Sequence, residues 1–310
     1  MRLTTIPVTA FAVAFMLFSA VVTTAPVALA STTSPEQVSY VVLPHPDDEW
    51  QAWALIEGSS SNYKVFITLT NGEETRYCDT PYVGAWPAPN PTPAGKWSQS
   101  CADARLNSWT GYLTGMSATD PAIPGDFTYL GVKGPFPSNG VTLNTVDNGV
   151  TVASDRTARV WLDRQGMGAA IAFDLGDGDL TADEVKWALE TVQSNRAVLG
   201  INTTLPDYNV LGSFRNSTNP NCAIYNHSDH TAVHVALWND DFGVAYRAAA
   251  TCATDPDASR TKVVTSESAS ASWASDSKAF QQSYGWLGQY TLSPSQGYVF
   301  MQTQSFWQRY

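Results

Sequence analysis

Residues 38–43 read Val-Ser-Tyr-Val-Val-Leu, a short apolar run that stops at Pro44-His45-Pro46-Asp47-Asp48-Glu49. Such a run, rich in β-branched and aromatic residues and closed by proline, reads as a strand. Its end carries a histidine and two adjacent carboxylates. In open α/β sheets ligands bind beyond the carboxyl ends of the strands, so this string has the makings of a metal site at a sheet edge. Tyr225-Asn226-His227-Ser228-Asp229-His230 adds two more histidines, and His234 follows one turn later. The chain has four histidines in all, and every one lies in these two patches.

Beyond the first strand the pattern alternates. Glu49–Glu57 reads as a helix stopped by Gly58, and Lys64–Thr70 as a second strand. Ser100–Leu113 reads as a helix, Phe127–Leu130 as a short strand, and residues 136–168 as a β-hairpin excursion. Ala169–Leu175 reads as a buried strand and Thr181–Val192 as a helix with Thr181 and Glu184 in capping-box positions. Tyr208–Gly212 is a further strand, followed by a helix from near Asp229 through Leu237. Thr261–Val264 is strand-like, Thr265–Ser272 a surface loop, Ser275–Gln289 helical and Tyr298–Gln302 a closing strand. Strands that alternate with helices predict α/β layering on a largely parallel sheet. Asp79–Lys96 is rich in proline, glycine and alanine and forms no regular element.

The first 30 residues combine Arg2, an uncharged apolar stretch and Ala28-Leu29-Ala30. This is the pattern of a secretory signal peptide. It leaves 31–310 as a single domain with insertions at 79–98 and 136–168, secreted and with no membrane span after cleavage. The balance of 17 basic against 28 acidic residues, net −11, repels phosphate backbones and argues against a nucleic-acid partner. Four cysteines in an exported chain point to two disulfides, with Cys78–Cys101 and Cys222–Cys252 the local pairings. Eleven tryptophans exceed what a core needs. Trp86 and Trp97 in and beside the Pro-rich insertion are candidates to stack on sugar faces.

His45, Asp48 and His230 together supply two nitrogens and one oxygen, the three-ligand set of a catalytic zinc with a position left for water. Asp47 then remains as general base, and His227 as a donor to an oxyanion or a leaving amine. Two alternatives concern the second patch and the acidic loop. His230 and His234, four apart on a helix, suit one metal together, although packing is the better reading of His234. Asp174–Asp179 lacks EF-hand spacing and reads as a solvated turn.

The two strings together resemble the LmbE/PIG-L family of zinc-dependent N-acetylglucosaminyl deacetylases, in which a strand ends in (A/P)HPDDE and a later HxDH string follows. Here these are Pro44–Glu49 and His227–His230. The resemblance implies a Rossmann-like three-layer α/β fold, one Zn2+ held by His45, Asp48 and His230, and Asp47 as the base. It also implies that His227 acts at the oxyanion or leaving group, that Asp229 orients it, and that Tyr225 lies over the tetrahedral intermediate. Thr70-Asn71-Gly72-Glu73 is similar to the family's second-strand turn. Arg105 falls where members carry a helix arginine, and Asp177-Gly178 is similar to a turn near the substrate. The expected partner is an N-acetylated amino sugar, oligosaccharide or glycoconjugate. The rival expectations are a metallo-amidohydrolase of an acylated natural product and an inactive carbohydrate-binding relative.

Overall fold

The computed structural model describes residues 34–75, 78–79, 95–144, 152–212, 227–251, 260–263 and 303–310, all within one compact unit, Thr32–Tyr310. The signal-peptide segment, Trp86, Tyr225, Cys222 and Cys252 lie outside the described residues. So do the expected Ser275–Gln289 helix, the Thr265–Ser272 loop and the Tyr298–Gln302 strand.

In chain order the described elements begin with β1 (Val38–Leu43), a 3₁₀ turn (Asp48–Ala52), α1 (Trp53–Glu57) and β2 (Tyr63–Thr68). Next come α2 (Gln99–Thr119), β3 (Phe127–Pro137), β4 (Leu143–Asn144), β5 (Val152–Ala153), β6 (Asp155–Asp163) and β7 (Gly168–Ala172). The remainder is α3 (Ala182–Ser194), α4 (Arg196–Leu199), β8 (Asp207–Gly212), α5 (Ser228–Asn239), β9 (Tyr246–Thr251), β10 (Arg260–Val263) and β11 (Thr303–Arg309). Nine of these strands form one sheet in the order β10-β11-β9-β8-β1-β2-β7-β6-β3, and β4 pairs with β5 apart from it.

The five central strands, β9-β8-β1-β2-β7, pair in parallel, whereas β10, β11, β6 and β3 join antiparallel. The sheet is therefore mixed, with the expected parallel pairing at its centre and antiparallel strands at its edges. The supposed excursion at 136–168 is corrected in part, because its strand β6 belongs to the main sheet, pairing with both β3 and β7. Only the small β4–β5 ladder stands outside. Every residue of β1, β2 and β7 is buried, as strands covered on both faces must be. Side chains alternate between two cores. Tyr40, Val65 and Ile171 meet α3 and α5 on one face, while Val41, Phe66 and Ala170 meet α1 and α2 on the other. The result is three layers, α/β/α.

Local sequence explains the helix starts. Thr181 caps α3 with a full capping box, its hydroxyl accepting from the Glu184 N–H and the Glu184 carboxylate accepting from the Thr181 N–H. Ser98 caps α2 by accepting from the Cys101 N–H. Cys101 in that first turn is bonded to Cys78, with Cα atoms 5.8 Å apart, so the start of α2 is tied to the segment that follows β2. No helix among the described residues is long and apolar enough to cross a membrane.

Candidate metal centre

After β1 the chain reaches β2 on one side and, through α3, β8 on the other. The carboxyl end of β1 is therefore a topological switch point, where a crevice opens. His45 and Asp48 follow β1, Glu74 follows β2, Asp177 follows β7, and His227, Asp229 and His230 open α5 after β8. Residues far apart in the chain converge because they all sit at the carboxyl ends of parallel strands.

His45 is the hub. Its Nδ1 lies 2.9 Å from Asp48 Oδ2, and the same oxygen is 3.3 Å from His230 Nε2. These three residues are buried, and each offers a ligand atom within 4.8 Å of the others. Two imidazole nitrogens and one carboxylate oxygen, shielded from bulk water, are the donor set that zinc and similar divalent ions prefer. Asp48 also accepts the His45 backbone N–H at 3.0 Å, which fixes the turn. Burial pushes the Asp48 carboxyl up, but the adjacent His230 and His45 outweigh it and hold it far below the usual carboxylate range.

The other edge of the His45 ring faces two more carboxylates. Nε2 is 3.1 Å from Asp229 Oδ2 and 3.1 Å from Asp177 Oδ1. A ligating histidine that passes its second N–H to a carboxylate has its tautomer and orientation fixed. Asp229 is itself held by the Gly178 and Leu180 N–H groups at 3.0 and 3.1 Å and by Ser228 Oγ at 3.2 Å. Asp177 accepts the Glu74 N–H at 2.6 Å. Burial lowers the proton affinity of His45, yet Asp177, Asp229 and Asp48 together raise it well above the ordinary histidine value. With His227, these residues form a second group able to hold an ion: His45, Asp177, His227 and Asp229.

Asp229 was expected to orient His227. Its carboxylate is 3.7 Å from His227 Nδ1 and 3.1 Å from His45 Nε2, so its closer ring contact is with the hub. No spacing in the sequence announces that contact. His227 is the N-cap of α5, its Nδ1 accepting from the Asp229 N–H. It is partly exposed, with Nε2 3.8 Å from the half-exposed Glu74 carboxylate. Burial and the nearby His45 lower its pKa, which favours a neutral imidazole at the mouth.

Asp47 stands in the left-handed region at φ 122°, a strained conformation for a non-glycine residue. Arg105 clamps its carboxylate with two bonds, at 2.9 and 3.2 Å. Burial and the neighbouring Asp48 push the Asp47 carboxyl up while Arg105 pulls it down, with a net rise. Gly72 makes this clamp possible. At φ +64° it turns beneath the guanidinium, and a Cβ there would stand 2.4 Å from Arg105 Nη2. Arg105 and Asp177, both expected to touch substrate, are buried and direct their polar atoms to Asp47 and to His45 and Glu74 respectively. The solvated turn expected at Asp174–Asp179 is corrected by Asp177, which is 3% exposed because its carboxylate folds inward onto His45. His234 accepts from Trp307 Nε1 at 3.2 Å and belongs to neither metal-binding group among the described residues. Glu49 is buried and accepts from Trp109 Nε1 at 3.0 Å. A scan against protein-family models finds no match, and no curated protein matches the chain.

Proposed function

We propose that this chain is a secreted, metal-dependent amidohydrolase that removes the acetyl group from an N-acetylated amino sugar or glycoconjugate. One observation carries the reading. A buried His45–Asp48–His230 donor set lies at the switch point of an α/β sheet, beside an aspartate, Asp47, held in a strained position by an arginine. A binding protein needs no such strained carboxylate. Numbered along the chain, the parallel strands run 5-4-1-2-3, the doubly wound order with its crevice at strand 1, which supports the Rossmann-like reading.

Zn2+ held by His45, Asp48 and His230 would supply a Lewis acid and lower the pKa of water to near neutrality. The chain's own groups do the rest. Asp47 accepts the proton of the attacking water, with Arg105 fixing the direction of its lone pairs. His227 stands at the partly open mouth to donate to the carbonyl oxygen or to the departing nitrogen. Asp229 and Asp177 hold His45 so that Nδ1 faces Asp48.

Acetate release by the purified mature protein, across a panel of N-acetylated sugars and oligosaccharides, tests the proposal. Metal-dependent release that falls roughly 100-fold in Asp47→Asn is the expected result. A fully metal-loaded protein that releases no acetate from any of them would overturn it.

A further inference from the structure

An ion on His45, Asp48 and His230 would not answer every charge at the carboxyl end. Asp48 would face the ion, and Asp47 is clamped by Arg105. Asp177 and Asp229 remain, 3% and 0% exposed. Among the described residues neither is paired with a lysine or an arginine, and the basic side chains that face them are the His45 and His227 rings. With Nδ1 given to the ion, His45 keeps one N–H, on Nε2. That nitrogen bonds to Asp229 Oδ2 at 3.1 Å. Asp177 Oδ1 stands 3.1 Å from the same nitrogen, yet it is buried without a hydrogen bond of its own. This oxygen, Asp229 Oδ2 and a ring nitrogen of His227 lie within 4.8 Å of one another. Two buried carboxylates around one N–H are costly unless a further positive charge joins them.

We propose that Asp177, His227 and Asp229 take a second divalent ion, held more weakly than the one on His45, Asp48 and His230. The inference goes beyond the deacetylase reading and does not depend on it, because binding is measured directly. Two carboxylate oxygens and one imidazole nitrogen suit zinc, or a harder divalent ion such as Mn2+. Both carboxylates are already aimed. Asp177 Oδ2 accepts the Glu74 N–H at 2.6 Å, and Asp229 accepts the Gly178 and Leu180 N–H groups at 3.0 and 3.1 Å. The His227 ring lies with Nε2 4.0 Å from Asp177 Oδ1 and Nδ1 3.7 Å from Asp229 Oδ2. Its cap bond from the Asp229 N–H is long, at 3.4 Å, so the ring can turn a nitrogen to an ion at little cost. The half-exposed Glu74 carboxylate, 3.8 Å from His227 Nε2, offers a further oxygen from the solvent side. Two features make this ion the weaker one. Asp229 Oδ2 is shared with the His45 N–H, and the first ion stands across the same imidazole, where like charges repel. Dialysis should remove the second ion and leave the first.

The test is calorimetric titration with Zn2+ of protein already holding one equivalent of Zn2+. Wild type should take up one equivalent more. Asp177→Asn keeps the size of the side chain and loses its charge, and His227→Ala removes the ring from the partly open mouth. Each variant should keep the first equivalent, which also shows that it is folded, and should bind the second roughly 100-fold more weakly. A ring nitrogen on an ion holds no proton to donate, so any acetate release by wild type should fall as the second equivalent binds. A wild type that stops at one equivalent overturns the proposal. So does a second step of unchanged affinity in both variants, which places that ion elsewhere on the acidic surface. Loss of both equivalents in folded Asp177→Asn also overturns it, because Asp177 then belongs to the first ion. The two readings fail separately. Variant-sensitive uptake of a second ion without acetate release sinks the deacetylase reading alone, whereas acetate release by a protein that takes one equivalent sinks only the second ion.

Discussion

The two ends of the central strands both bury polar groups, and they balance them differently. At the amino end, Tyr40 Oη donates to Asp207 Oδ1 at 2.5 Å, and Arg196 donates to the same oxygen at 2.7 Å and to Leu205 O at 2.7 Å. Asn62 donates to Ser39 Oγ at 2.7 Å and accepts from Gln37 at 3.0 Å, while Lys64 Nζ donates to Ala122 O at 2.9 Å. Each carboxylate or carbonyl there meets a side-chain donor of its own, shared at most with one neighbour. At the carboxyl end three carboxylates, Asp48, Asp177 and Asp229, converge on the one ring of His45 at 2.9–3.1 Å. An imidazole has at most two N–H groups to offer them. Burial is similar at both ends, so the surplus of acceptors around His45 is what suits the carboxyl end, and not the amino end, to hold a cation.

The largest expected effect tests that surplus directly. His230→Ala should abolish binding of the divalent ion, and His45→Ala likewise, while His234→Ala should retain it because His234 is occupied by Trp307. Elemental analysis of the folded variants decides this. Full metal in His230→Ala would mean that the ion sits in the His45–Asp177–His227–Asp229 group instead.

Next in size is Asp47→Asn. Asp47 belongs to neither metal-binding group, so metal content should persist while turnover falls roughly 100-fold, the scale of losing a positioned base. Unchanged turnover would reduce Asp47 to a partner that keeps Arg105 in place.

Much of this was legible in the sequence, for identifiable reasons. β1 appears at its predicted bounds because six buried residues, all apolar or aromatic except Ser39, leave a run rich in Val, Tyr and Leu. That His45, Asp48 and His230 come together as a group able to hold a metal ion was legible because histidines are few and adjacent to carboxylates. β9 was missed, since Tyr-Arg-Ala-Ala-Ala-Thr lacks the β-branched residues that announce a strand. Its alanines are buried by neighbouring layers rather than by their own bulk. β3 runs on to Pro137 through glycines and prolines that read locally as turns. The contact of Asp229 with His45 spans 184 positions, and the Arg105 clamp on Asp47 spans 58. Neither has a local period to reveal it.

A smaller effect separates the ligands from the residues that aim them. Asp229→Asn keeps the size and loses the charge that faces His45 Nε2. Metal affinity should fall roughly 10- to 100-fold without vanishing, as for other carboxylates behind a ligating histidine. Competition with a chelator of known affinity measures it. A loss as complete as in His230→Ala would make Asp229 a ligand.

The smallest effect belongs to the amino end, and it is a stability effect that metal should not share. Burial depresses Lys64 from 10.5 to about 8. The unfolded chain therefore holds more protons than the folded one between about pH 8 and 10.5, and stability rises with pH across that window. Burial raises Tyr63 from 10.0 to about 12, so above pH 10 the unfolded chain loses protons that the folded one keeps, and stability falls. Metal-free protein should accordingly be most stable near pH 10, with a gain on the order of 1–2 kcal/mol from pH 8 upward. Lys64→Met should flatten the rise and leave the fall above pH 10 in place. It also leaves the Asn62 and Ala122 carbonyls without their donor, a cost that is constant with pH and so does not alter the slope. Denaturant unfolding at half-unit pH steps gives both curves. A rise of equal slope in wild type and Lys64→Met would show that the lysine is not the source, and that the amino-end network is less closed to water than its hydrogen bonds imply.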